Sequence, residues 1–279
     1  MQQILVTTDL SSASRAAVRF AIQLATQMDV KLVFFHCFQS LVPTSIHRER
    51  IDQAIREQTE EHREQLERLV ADIHISMQVP AGAHELVVLE YGDTDKAILE
   101  YAHNQGFQYI CMSSRGAGSL EKIMGTHTGY IVQRSFVPVL VIPPGYRVEP
   151  IEKILYASDL EHLDAEMTVV SAFSRNLSLR ADLVHFYLPG RISLDAATLN
   201  QMWSAKYPIL DRVYLEEDDL VESFAPQLDR LTDKIKPSLI VFFAHAHTTW
   251  FDKLFGPDVA MSISFTTKVP MLVYRKKKE

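Results

Sequence analysis

The chain repeats itself, and this repeat limits the possible folds more than any other feature. The segment Gln2–Leu10 returns as Glu152–Leu160, at an offset of 150 residues. A second segment, Val137–Ile142, returns as Val269–Tyr274, with proline at the second position in both. Copies of about 140 residues have the size of ordinary domains. The sequence therefore predicts an internal duplication.

Within each copy, apolar runs of strand length alternate with segments whose apolar positions recur at helical spacing. Strands that alternate with helices predict a parallel sheet covered on both faces. We therefore expect an α/β fold with two tandem, open, twisted sheets of five parallel strands, in domains over 1–144 and 151–279. Predicted strands of the first copy span 3–8, 32–37, 85–89, 109–112 and 137–142. Its predicted helices include a first one capped by Ser11 or Ser12, and two that span 45–73 and 94–103.

The charge of the chain excludes some classes of partner. Lys and Arg number 28 against 35 Asp and Glu, a formal charge of −7, which argues against binding to nucleic acid or anionic membranes. The basic run Arg275–Lys278 is interpreted as a solvated tail. Cys37 and Cys111 lie in apolar runs, as expected of buried thiols in a reducing compartment. Without a membrane-length apolar run or signal-peptide features, we expect a cytoplasmic location.

Small residues follow the fourth predicted strand, from Ser113 through Gly116 to Gly125. A strand, a glycine turn and a helix start aim backbone N–H groups at an anion, and residues without bulk let a phosphate approach. Asp9 and Asp159 end the first strand of each copy, where open α/β sheets collect ligands at a topological switch point. Capping of the following helix is the alternative role for both carboxylates.

Each copy resembles the universal stress protein family, and the whole chain resembles its tandem form. The resemblance rests on Thr7–Ser11 (Thr-Thr-Asp-Leu-Ser), on Val33–His36, on the small residues after the fourth strand, and on Val137–Ile142. It implies an adenine nucleotide alpha hydrolase-like, Rossmann-like fold. In nucleotide-binding members a G-x2-G-x9-G-[ST] segment cradles the phosphates of ATP. There, an Asp after strand one contacts the ribose, and the backbone at the end of strand two reads the adenine.

Carried over to this chain, the resemblance implies a site for ATP or AMP in the first copy, with Mg²⁺ accompanying ATP. The first glycine of the pattern falls on Ser113 and the second on Gly116. The Gly-Thr pair falls on residues 125–126, after a run one residue shorter than the pattern. The implied nucleotide-binding residues are Thr8, Asp9, Cys37, Met112, Ser113, Arg115, Gly116, Gly125, Thr126 and His127.

The second copy departs further from the pattern. His247 stands where the second glycine is expected, and Pro257, which has no N–H to donate, follows Gly256. We therefore predict that the second copy does not bind nucleotide in the family manner. His245 and His247 would point the same way on an extended segment. No third ligand accompanies them in the sequence, so we predict no metal site.

Three functions from different classes are open. The first is a non-enzymatic stress-response or regulatory protein whose first copy binds ATP or AMP and whose second copy serves pairing. The second is a scaffold without nucleotide. The third is a slow nucleotide hydrolase or transferase. This function needs an acidic residue that holds a metal and a positioned water, and Asp9 is the only candidate acid.

The proline-led last strands are typical of sheet edges, and an uncovered apolar edge is an association surface. In family dimers this strand mediates pairing, so the resemblance implies that the two copies pair within one chain. A homodimer of the full chain is a further possibility. We expect a chain cut between Pro144 and Pro150 to stay associated. Two independently tumbling halves in solution scattering would refute this expectation.

Overall fold

A computed structural model describes residues 1–40, 48–114, 126–188, 195–219, 222, 224–244 and 268–276. These residues form two compact units, one up to Val148 and the other from Glu149 onward. Several predictions fall outside the described residues. They are those for Arg115, Gly116, Gly125, His245, His247, Gly256 and Pro257, together with the side chain of Thr126.

Among its described residues, the first unit has five strands and four helices. The strands are β1 (Gln2–Thr7), β2 (Val30–Phe38), β3 (His84–Glu90), β4 (Tyr109–Ser113) and β5 (Val139–Ile142). The helices are α1 (Arg15–Ala25), α2 (Arg48–Met77), α3 (Thr94–Asn104) and α4 (Thr126–Arg134). Neighbouring strands pair in parallel in the order β3-β2-β1-β4-β5.

The second unit repeats this arrangement. Its strands are β6 (Ile154–Ala157), β7 (Ala181–Tyr187), β8 (Leu210–Glu217), β9 (Leu239–Ala244) and β10 (Met271–Arg275). Its described helices are α5 (Leu163–Asn176), α6 (Ala196–Lys206) and α7 (Phe224–Ile235). The strands pair in parallel in the order β10-β9-β6-β7-β8, which is the order of the first unit. The predicted α/β fold is confirmed.

The central strands are buried on both faces, which is why their sequences are continuous apolar runs rather than alternating ones. Ile4, Leu5 and Val6 of β1 have no exposed surface, and Ile110 and Cys111 of β4 have none either. The proline-led strands β5 and β10 are the terminal strands when each unit is considered by itself. The apolar pattern thus specifies which strands lie in the middle of each sheet.

The strand order reverses direction beside β1. From β1 the chain moves outward to β2 and β3, and then crosses back to β4 on the other side of β1. The carboxyl ends of β1 and β4 therefore flank a topological switch point, where open α/β sheets bind ligands. In the second unit β6 and β9 occupy the equivalent places.

Two helix predictions are wrong in detail. Helix α1 begins at Arg15, after Ser14, so neither Ser11 nor Ser12 caps it. The Ser11 hydroxyl instead donates to Asp9 and accepts from the backbone N–H of Ser14 at 3.3 Å, in a turn that precedes the helix. Helix α2 continues past the predicted end at residue 73, to Met77, and is followed by Gln78 in the left-handed region at φ 56°. None of the described helices combines the length and the apolar character that spanning a membrane requires.

Candidate functional site

The loop that follows β1, residues 8–11, is held by its own polar side chains. The Thr8 hydroxyl accepts a hydrogen bond from the backbone N–H of Leu10 at 3.0 Å. The carboxylate of Asp9 accepts from Ser11 through the backbone N–H at 3.0 Å and the hydroxyl at 2.6 Å. These bonds compensate for the left-handed backbone of Leu10, at φ 63°, which costs a residue with a Cβ about 1 kcal/mol. Asp9 therefore fixes an exposed turn at the switch point.

The loop that follows β6, residues 158–161, has the same construction. The Ser158 hydroxyl accepts from the N–H of Leu160 at 3.0 Å, and Asp159 accepts from the N–H of Glu161 at 3.1 Å. Leu160 has a φ of 69°. Helix capping, the alternative role considered for both aspartates, is wrong: α1 begins after Ser14 and α5 after His162, and neither helix has a side-chain cap. Each aspartate instead holds the turn that precedes its helix. Contact of Asp9 with a ribose stays a prediction.

Ser113, at the end of β4, ties three elements together. Its hydroxyl accepts from the backbone N–H of Ala17 in α1 at 3.2 Å, and its carbonyl accepts from the Thr128 hydroxyl in α4 at 3.0 Å. Ser113, Thr128 and the neighbouring Met112 are buried. The Ser113 hydroxyl is therefore hydrogen-bonded to α1, and the Thr128 bond fixes the first turn of α4 at the carboxyl end of β4.

Two neighbouring histidines, His36 and His62, lie behind the β1 loop, and His36 is bonded to it. His36 in β2 donates from Nδ1 to the carbonyl of Thr8 at 2.9 Å, because a carbonyl can only accept. His36 Nε2 lies 3.2 Å from Nδ1 of His62 on α2, and neutral His36 must accept there. In the second unit His185 makes the same bond to the Ser158 carbonyl at 2.9 Å.

The environment keeps His36 neutral. Burial lowers the pKa of His36, and the neighbouring His62 also lowers it, against the opposing effects of the bond to Thr8 and the charge of Asp9. His62 is itself stacked on Phe38, with ring centroids 4.5 Å apart. Among the described residues no cluster of three or more His, Cys, Asp or Glu could hold a metal ion.

His127 lies at the start of α4, where the resemblance implies nucleotide contacts. Its Nδ1 lies 2.7 Å from the carboxylate of Asp95 in the first turn of α3, while its side chain is 68% exposed. The carboxylate fixes the orientation of the imidazole ring and favours a hydrogen on Nδ1. His127, at the start of α4, and Asp9, in the loop after β1, therefore both lie at the carboxyl edge of the same sheet.

The two cysteines should differ sharply in reactivity. Both are free thiols; Cys111 is fully buried and Cys37 is half-buried at the end of β2. Burial raises the pKa of both thiols, much more strongly for Cys111. Because the thiolate is the reactive form, we expect an alkylating reagent to modify Cys37 at least about tenfold faster than Cys111 in the folded chain. Peptide mapping after timed labelling measures this ratio, with Cys37→Ser as control; equal rates would contradict it.

In the second unit a lysine side chain is bound to the aspartate of the β6 loop. Lys276 follows β10, and its Nζ lies 2.5 Å from Asp159 Oδ2 and 3.0 Å from Glu166 Oε1. The side chains of Lys276 and Glu166 are each 4% exposed. Glu166 also accepts a short hydrogen bond from Tyr156, whose hydroxyl lies 2.8 Å from that of Ser158.

This network holds Lys276 as an ammonium ion. Burial alone would lower the pKa of Lys276, but the bonds to Asp159 and Glu166 more than offset that effect and raise it. Burial raises the pKa of Tyr156, and the charge of Glu166 raises it further. The interpretation of residues 275–278 as a solvated tail is therefore wrong at Lys276, because two carboxylates draw its side chain into the unit.

The sequence did not predict the contacts that Asp159 and His36 make with residues from distant segments. Lys276 is 117 residues from Asp159, and His62 is 26 residues from His36. The sequence did contain a signal that Glu166 has a buried partner. Glu166 lies in α5 at the position that corresponds to the apolar Ala16 of the first copy. A charged side chain at a core position indicates a buried partner.

Comparisons with known proteins agree with this geometry. The model of the universal stress protein family matches residues 1–143, whereas no match to a curated protein was found. The fold is similar to that of a universal stress protein from Archaeoglobus fulgidus DSM 4304, with a TM-score of 0.70 and 15% identity over 99% of this chain and 98% of that one. A functionally unknown protein from Pseudomonas aeruginosa PAO1 gives a TM-score of 0.62 and 16% identity over 99% and 92%. Identities this low show the fold alone, but the family match covers more than half of the sequence, and the chain belongs to the universal stress protein family.

Proposed function

We propose that this chain is a non-enzymatic, cytoplasmic regulator of the stress response whose first unit binds ATP or AMP. The observation that carries the proposal is the combination of groups at the switch point. The exposed carboxylate of Asp9 follows β1, and the first turn of α4 is anchored at the end of β4 by Thr128. Free thiols at Cys37 and Cys111 agree with a reducing compartment.

The described residues fit a phosphate-bearing ligand. The first backbone N–H groups of a helix have no partner within the helix, and the helix dipole favours an anion beside them. Helix α4 presents that end next to β4. Ser113 does not add bulk there, since its hydroxyl is bonded to α1. The backbone of residues 113–126 would hold the phosphates, as the family resemblance implies.

The remaining contacts would be divided between neighbouring strands. Asp9 would accept hydrogen bonds from the ribose, because an exposed carboxylate is an acceptor for hydroxyl groups. The backbone at Cys37 would read the adenine. Because β2, β1 and β4 are adjacent, these groups would lie across about 10 Å of the sheet edge. Mg²⁺ would enter with ATP and be held chiefly by phosphate oxygens.

Replacing Asp9 with asparagine should weaken ATP binding about tenfold to a hundredfold, which corresponds to the loss of charge-assisted hydrogen bonds. Asparagine keeps an oxygen for Ser11, so the loop should retain its structure. The matched control is Asp29→Asn, at an exposed position before β2 on the opposite edge of the sheet. Isothermal titration calorimetry measures both affinities. An unchanged affinity in Asp9→Asn would contradict the proposed role.

Two further measurements separate the proposal from its alternatives. Mass spectrometry of small molecules released from the purified chain should detect an adenine nucleotide, whereas a scaffold without nucleotide would release none. A phosphate-release assay with ATP should give no turnover above background. Turnover that disappears in Asp9→Ala would favour the hydrolase.

A further inference from the structure

The two units differ in the charged and polar side chains that they place at equivalent positions beside the first strand. At the offset of 150, Tyr156 corresponds to Val6, and Glu166 corresponds to Ala16. Aligning the prolines that precede β5 and β10 places Lys276 opposite Pro144. The first copy therefore has neither the second carboxylate nor the ammonium group, although both copies have the aspartate and its turn.

The geometry around Lys276 is that of a site for a primary ammonium ion. An ammonium has three N–H donors; Lys276 donates one to Asp159 Oδ2 at 2.5 Å, and its nitrogen forms an ion pair with Glu166 Oε1 at 3.0 Å. Tyr156 donates to Glu166, and Ser158 in turn donates to Tyr156, because a hydroxyl already bonded to a carboxylate must accept from its other neighbour. Two negative charges and one positive charge share an environment in which Glu166 and Lys276 are almost fully buried.

We propose that Lys276 is a tethered ligand whose ammonium group fills a cation site in the second unit and keeps the β6 loop closed to free ligands. A phosphate is repelled because Glu166 adds a second carboxylate beside Asp159. A free cation must displace an ammonium whose effective concentration, set by its attachment to β10, is about millimolar or higher. The contact is therefore autoinhibitory, because the site opens only when the Lys276 side chain leaves Asp159 and Glu166.

This inference predicts that removing the lysine side chain creates a site for a free amine. Lys276→Ala deletes three carbons and the nitrogen, which together correspond to n-propylammonium. Adding propylammonium should raise the thermal midpoint of Lys276→Ala with the logarithm of its concentration, recovering at least half of the loss by about 100 mM. The wild-type chain should not respond, because its site is filled.

Three controls isolate the chemistry. At equal ionic strength, tetramethylammonium has the charge without N–H donors, and 1-propanol has the shape without the charge; neither should restore the midpoint. Lys31→Ala removes a lysine from a half-exposed ion pair with Glu85 in the first unit and should show no response to the amine. Absence of rescue by propylammonium, or equal rescue by tetramethylammonium, would overturn the proposal.

A measurement on the wild-type chain covers the case in which Lys276→Ala does not fold. An amine-reactive ester at neutral pH should acylate Lys276 at least about tenfold more slowly than Lys31, because the Lys276 side chain is 4% exposed and that of Lys31 is 35% exposed. Peptide mapping gives both rates. Equal rates would overturn the proposal. Neither experiment involves nucleotide, so both are independent of the function proposed for the first unit.

Discussion

Replacing Lys276 with methionine should lower the free energy of unfolding of the second unit by about 3–5 kcal/mol, the cost of breaking a buried ion pair. Methionine preserves the length and apolar contacts of the side chain but removes the ammonium. Glu166 is then left as a buried carboxylate that faces Asp159 without a cation between them. Urea unfolding followed by tryptophan fluorescence measures the loss, since both tryptophans of the chain, at positions 203 and 250, fall in the sequence of the second copy.

A second substitution tests whether the loss comes from the uncompensated charge. Glu166→Gln in the Lys276→Met background removes one of the two carboxylates and keeps a polar group for Tyr156. The double variant should therefore lose less stability than the sum of the two single variants. The surface pair of Lys31 and Glu85 gives the scale for an exposed interaction, at most about 1 kcal/mol. A loss of that size in Lys276→Met would contradict the buried network.

Acidification should destabilise the first unit through His36. Its pKa is lowered chiefly because burial removes water from the charged ring, with a further contribution from His62. The unfolded chain then binds a proton that the folded unit does not, so the free energy of unfolding decreases as the pH falls below about 6.5. The slope is at most about 1.4 kcal/mol per pH unit, and it ends at the lowered pKa of the folded unit.

His36→Asn isolates this effect, because the asparagine amide can still donate to the Thr8 carbonyl but does not titrate. The variant should lose the pH dependence below about 6.5, whereas His103→Asn, at an exposed position of α3, should retain it. Hydrogen exchange of the β1 amides, corrected for intrinsic exchange rates, gives the local stability at each pH. The same slope in His36→Asn and wild type would show that other groups cause it.

The architecture was predictable because it depends on patterns that repeat along the sequence. Continuous apolar runs such as Ile4–Val6 indicated strands buried on both faces, and the duplicated opening and ending implied two copies of one topology. Strand order then follows from the parallel crossovers. The position of Asp9 at the switch point follows from that order rather than from the aspartate itself.

The polar networks were not predictable, because their members meet only after the strands are ordered. A lysine in the run Arg275–Lys278 has the composition of a tail, and only the pairing of β10 beside β9 shows that it lies near the β6 loop. The capping role of Ser11 failed for a local reason, since its hydroxyl accepts from the backbone N–H of Ser14 in a turn that ends before α1 begins. Neither bonds between distant segments nor side-chain bonds within short turns produce a periodic pattern in the sequence.

A crystal structure obtained with ATP and Mg²⁺ in excess tests the central claim most directly. That claim is that the first unit keeps a strand-end site for a phosphate ligand, while the equivalent site of the second unit is filled by the chain's own lysine. We predict triphosphate density beside the carboxyl ends of β1 and β4, with Lys276 still bound to Asp159. Nucleotide density at Asp159, or none in the first unit at a saturating concentration, would contradict the claim.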